Sequence, residues 1–116
     1  MMERIIEKIG EGVYQARGNI VALGKENIGL LKREAGNTRL KRARLCSHQS
    51  NNDKIHEMFI VLAREGYIRP HKHIDKTESM HIIEGEADVV FFNESGEIVE
   101  VVQLGDYSSG KNFYYK

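Results

Sequence analysis

A single cysteine among 116 residues excludes an internal disulfide framework. Cys46 reads as a small buried hydrophobe, because nothing adjacent in sequence would activate its thiol. That usage suits a reducing compartment. An excess of one charge is also lacking, since Lys+Arg and Asp+Glu stand at 17 each. The balance argues against nucleic acid or an anionic membrane as the main partner. Long apolar runs are absent, and no stretch approaches the ~18 residues of a membrane span. The N-terminal stretch "MMERIIEKIGEGVYQARG" carries charges at residues 3, 4, 7 and 8, so no signal peptide is expected. The expected location is the cytoplasm. Proline occurs once against eleven glycines, which implies tight turns between short elements. No internal repeat or low-complexity tract interrupts a chain of ordinary single-domain length.

What is present reads as mainly β. The stretch "NIGLLKREAGN", residues 27–37, predicts a short helix with Ile28, Leu31 and Ala35 on one face. From there the pattern changes to strands. "IHEMFIVLA" (55–63), "SMHIIEG" (79–85) and "ADVVFFN" (87–93) are apolar and β-branched runs. "NESGE" (93–97) predicts a hairpin turn into "IVEVVQL" (98–104), and "NFYY" (112–115) a last strand. Such spacing predicts an N-terminal arm with a helix (1–37), then an antiparallel β-sandwich or barrel (38–116).

The chemistry concentrates in "YIRPHKHIDKTESMHIIEG", residues 67–85, which holds three of the five histidines and the one proline. On a strand, His71 and His73 would point to the same face. Two imidazoles in that arrangement can converge on one ion, whereas helical geometry would splay them apart. Pro70 biases Arg69 towards extended geometry and suits the first residue of a strand. The polar turn "IDKT" can reverse the chain and bring Glu78, on the next strand, to the same ion. Two imidazoles and one carboxylate suit iron, manganese, nickel or zinc, and leave positions open for water or substrate.

Gly66, His71, His73, Glu78 and Gly85 resemble the first motif of the cupin superfamily. Their order and spacing follow it, except that "YIRP" is one residue shorter than the usual first spacer. "RARLCSH" (42–48), "HEMFIVLAREGYIRPHKH" (56–73), "KTESMHIIEG" (76–85) and "FYY" (113–115) resemble the WbuC-like cupin-fold metalloproteins. The resemblance spans about residues 38–116. It implies a small antiparallel β-barrel, or jelly roll, holding a divalent transition metal through His71, His73 and Glu78. It also implies a link to O-antigen or capsule sugar synthesis, but no particular reaction. Cupins carry a second motif whose histidine supplies a fourth ligand, and no histidine follows His81 in this sequence. The barrel is therefore expected to be incomplete at its C-terminal end. Its open sheet edge invites a homodimer. A shortened chain, a three-ligand site, and replacement by His56 or His81 are the alternatives this leaves.

Other residues carry weaker signals. His56 alternates with Met58, Ile60 and Leu62, so it faces a pocket or the core if that set faces inward. His81 falls out of phase with Glu78 and should point away from the ion. Arg42 and Arg44 share a strand face within the basic run Arg39, Lys41, Arg42, Arg44. They form either a solvated face or a cradle for the diphosphate of a nucleotide sugar. Lys76 is either a pocket residue in the ligand turn or solvated. Tyr67, Tyr114 and Tyr115 would line the barrel or fill its core. Two functions follow: a metal-dependent enzyme acting on a sugar or sugar nucleotide, or a non-catalytic small-molecule or sugar-binding module with a structural or vestigial metal.

Overall fold

The computed structural model describes residues 5–116. The first four residues of the expected N-terminal arm, including two of its charges, lie outside the described residues. The chain divides into two compact units, Met1–Pro70 and His71–Lys116. Secondary structure is mainly β with one short α-helix.

The first unit is built on a four-stranded sheet of order β1-β2-β3-β4. Its strands are β1 (Ile5–Gly10), β2 (Val13–Arg17), β3 (Arg42–Cys46) and β4 (Met58–Leu62). Helix α1 (Lys25–Asn37) crosses between β2 and β3, which run parallel. Sequence patterning predicts an antiparallel β-domain preceded by an arm. Instead, the segment before residue 38 supplies two strands and a βαβ crossover. A helical connection returns the chain to the starting end of the sheet, and that makes the parallel neighbour possible.

Helix α1 begins two residues before the predicted stretch. The Asn27 side chain accepts the Gly24 amide at 2.8 Å and fixes this start. At its other end, Thr38 is buried, donating its hydroxyl to the Arg42 carbonyl (3.0 Å) and accepting the Arg42 amide (3.1 Å). Lys41 adopts a left-handed conformation there, and its ammonium donates to the Gly36 carbonyl at 2.8 Å. Helix α1 buries Leu31 and Ala35 against Tyr14, Ala16, Ala43 and Leu45 of the sheet. Cys46 is buried, as a structural thiol should be.

The second unit holds two small sheets. Strands β5 (Met80–His81) and β8 (Tyr114–Tyr115) pair antiparallel, as do β6 (Glu86–Phe92) and β7 (Ile98–Gly105). The predicted turn at 93–97 is present. The Asn93 side-chain oxygen accepts the amides of Ser95 and Glu97 at 3.0 and 2.9 Å. A bulge shifts the register between Phe91 and Phe92, so Phe92 faces Ile98. Leu104 is fully buried, while Val90, Phe91, Phe92, Ile98, Val99 and Val101 all stay exposed. None of the three sheets closes on itself among the described residues, so the barrel expected from sequence is not formed by them. No helix among the described residues is long and apolar enough to cross a membrane.

Candidate metal centre

The motif histidines lie outside any strand. Residues 63–79 carry no regular secondary structure, so the strand expected through Pro70, His71 and His73 is not formed. Pro70 removes one backbone donor, and the polar run after it has no apolar face to bury. The chain reverses instead at Ile74–Asp75, with Asp75 at φ 56°. An aspartate tolerates that left-handed conformation better than most residues.

The reversal brings Glu78 to His73, and His71 lies against His73. His73 Nε2 lies 2.9 Å from Glu78 Oε2, and both side chains are about half exposed. The His71 and His73 rings meet edge to face with centroids 5.0 Å apart. Two donors about 2.1 Å from one ion and at right angles around it lie about 3.0 Å apart. The His73–Glu78 separation is that of an imidazole–carboxylate hydrogen bond, and two adjacent ligands of one ion would stand at the same distance. Two imidazoles on one ion set their ring centroids roughly 4.5–5.5 Å apart, so the first pair also fits. Among the described residues, no group of three His, Cys, Asp or Glu side chains is gathered tightly enough to hold an ion. The donor types are those a divalent metal takes, but the three are linked only pairwise through His73. Tyr115 lies near this loop. Burial raises its phenol pKa, and the Glu78 charge raises it further.

The two glycines of the motif have separate physical causes. Gly85 sits at φ +90°, a conformation that L side chains rarely adopt. Gly66 is required by crowding. A Cβ there would meet Leu62 Cδ1 at 2.5 Å and the carbonyl oxygens of Ala63 and Lys41 at 3.0 Å. Those carbonyls cannot move freely, because they accept the Gly66 and Ala63 amides at 2.8 Å. Gly66→Ala is expected to destabilise the first unit by about 1–3 kcal/mol. Urea unfolding followed by circular dichroism measures this, and an unchanged midpoint would contradict the crowding.

Other candidates fall elsewhere. Lys76 is exposed within the reversal. Arg42, Arg44 and His56 belong to the first unit, whereas His71, His73, Lys76 and Glu78 belong to the second. Arg42 pairs with Leu62 and Arg44 with Ile60 across β3–β4, so the arginines share a face with Met58, Ile60 and Leu62. That face is solvent-exposed, while Phe59 and Val61 pack on the core. The inward orientation considered for His56 and its alternating partners is therefore corrected. Helix α1 covers the other side of the sheet and selects Phe59 and Val61. His56 stacks on His48 with ring centroids 4.4 Å apart and planes 9° apart, a contact the sequence did not signal. Parallel rings aim their nitrogens side by side, so this pair is no chelate as it stands. His81 is exposed and leans on Phe113 at 5.6 Å.

Residues 23–104 match the model of a family described as a domain of unknown function, DUF6016. The chain belongs to this family. The match begins just before α1, ends within β7 and takes in the whole loop from Pro70 to Glu78. No curated protein and no solved structure matches the DUF6016 chain.

Proposed function

We propose that this DUF6016 protein binds a divalent transition metal in a cupin-like site formed by His71, His73 and Glu78. The observation that carries the reading is the 2.9 Å approach of His73 Nε2 to Glu78 Oε2, made by a loop with the cupin spacing. His71 already touches the His73 ring. Because all three side chains are exposed, a change of rotamer can close the trio without disturbing a packed core. The chemistry a bound ion would supply is polarisation of a carbonyl or hydroxyl, or activation of a water. His71, His73 and Glu78 would hold it, and Tyr115 would stand beside Glu78. A sugar or sugar nucleotide of surface-polysaccharide synthesis is the substrate class we propose, with the cytoplasm as the place of action. A homodimer belongs to the same proposal. The exposed apolar side chains of β6 and β7 support it, because partner surface would bury them.

The decisive measurement uses tag-free protein, stripped with chelator and reloaded separately with iron, manganese, nickel and zinc. About one equivalent of at least one metal should remain after desalting. Retention of none of the four would sink the proposal. Sedimentation velocity on the same samples reads the dimer, and a monomer at every concentration tested would remove that part alone.

A further inference from the structure

The four-stranded sheet ends on β4, and no strand lies beyond it among the described residues. The ladder with β3 divides the backbone of β4 into two sets. At one end the Ser47 amide donates to the Glu57 carbonyl at 3.0 Å, and at the other the Ala63 amide donates to the Lys41 carbonyl at 2.8 Å. Between these the antiparallel register pairs Leu45 with Phe59 and Ala43 with Val61. Hydrogen-bonded pairs alternate along such a ladder, so Phe59 and Val61 direct their backbone groups to β3. Met58, Ile60 and Leu62 therefore turn their amides and carbonyls outward. The same residues carry exposed side chains.

Sheet edges are commonly guarded by charge, proline or brevity. The opposite edge of this sheet, β1, contains Glu7 and Lys8. In the second unit β6 contains Glu86 and Asp88, β7 contains Glu100, and β5 and β8 have two residues each. Strand β4 reads MFIVL, five residues with neither charge nor proline. Such an edge is a template for another strand.

We propose that β4 pairs antiparallel with β4 of a second copy of this chain, joining two four-stranded sheets into one. The outward set is symmetric about Ile60, which is what selects a copy of the same strand. With Ile60 facing the partner's Ile60, Met58 faces the partner's Leu62, and each such pair exchanges two N–H···O bonds. Every outward backbone group of β4 is then matched. The same register sets Glu57 opposite the partner's Ala63, so its charge does not face its own copy. A two-fold contact of this kind closes on itself, and the charges of β1 guard the other edge against further growth. The inference rests on the homodimer proposed above and assigns it a contact in the first unit.

Sedimentation velocity on tag-free, full-length protein provides the test. The range is about 5–500 μM, because a contact this small is expected to be of micromolar strength. The wild type should pass from monomer to dimer across it. Ile60→Lys and Ile60→Glu each bring like charges together at the two-fold axis and should weaken the dimer at least about 100-fold. An equimolar mixture of the two variants should regain it, because opposite charges then face each other. Ile60 is exposed, so both variants should keep the wild-type circular-dichroism spectrum. Undiminished dimers of either variant, or a mixture that stays monomeric, would overturn the β4 contact. The first of those results leaves a homodimer standing on another surface, whereas a monomeric wild type removes the homodimer and the contact together.

Discussion

His73→Ala is expected to lower affinity for the retained metal by at least about 100-fold, beyond the loss typical of an orienting residue. His73 is the shared member of the proposed site, because it touches both the His71 ring and the Glu78 carboxylate. Its removal takes one donor away and separates the other two. The His73–Glu78 ion pair is about half exposed, so breaking it should cost under about 1 kcal/mol of stability. The variant should therefore fold, and a loss of metal would not reflect unfolding. Lys76→Ala is the matched control, since Lys76 lies in the same reversal and offers no carboxylate or imidazole. Competition titration with a chromogenic chelator separates the two. Equal affinities for wild type and His73→Ala would remove His73 from the site.

Leu45→Ala should destabilise the first unit by about 2–5 kcal/mol, the usual cost of emptying a packed leucine site. Leu45 is completely buried on β3, between β2 and β4, and belongs to the cluster with Tyr14, Ala16, Leu31, Ala35 and Ala43. Helix α1 closes that cluster from one side, leaving little freedom for the cavity to collapse. Ile60→Ala tests the opposite face of the same sheet. Ile60 is 53% exposed, so its loss should cost below about 1 kcal/mol. Urea titrations followed by circular dichroism should show a lower midpoint for Leu45→Ala without a change in slope. Similar midpoints for the two variants would mean that the face under α1 is not the core.

The helix and the 93–97 turn were legible in sequence because short-range chemistry decides both. Leu31 and Ala35 lie one turn apart, and the Asn93 side chain can satisfy amides only two and four residues away. The strand predicted through His71 and His73 failed for a long-range reason. Alternation can align side chains only where another strand accepts the backbone hydrogen bonds, and the run after Pro70 has none in this structure. The contribution of the first 37 residues to the main sheet was also missed. β1 is interrupted by charges, and its pairing with β2 depends on a two-residue turn whose Gly12 sits at φ +68°.

The sequence by itself determined the chain reversal that lets Glu78 return to His73, and the mainly β character. These depend on residue type and on separations of a few residues. Only the tertiary structure decided which face of β4 is the core, because alternation defines two faces and is silent on which one α1 will cover. It also decided that β2 and β3 run parallel, and that His81 leans on Phe113. Those outcomes depend on segments far apart in the chain, brought together by burial of Leu31 and Leu45 in one unit and by the pairing of β5 with β8 in the other.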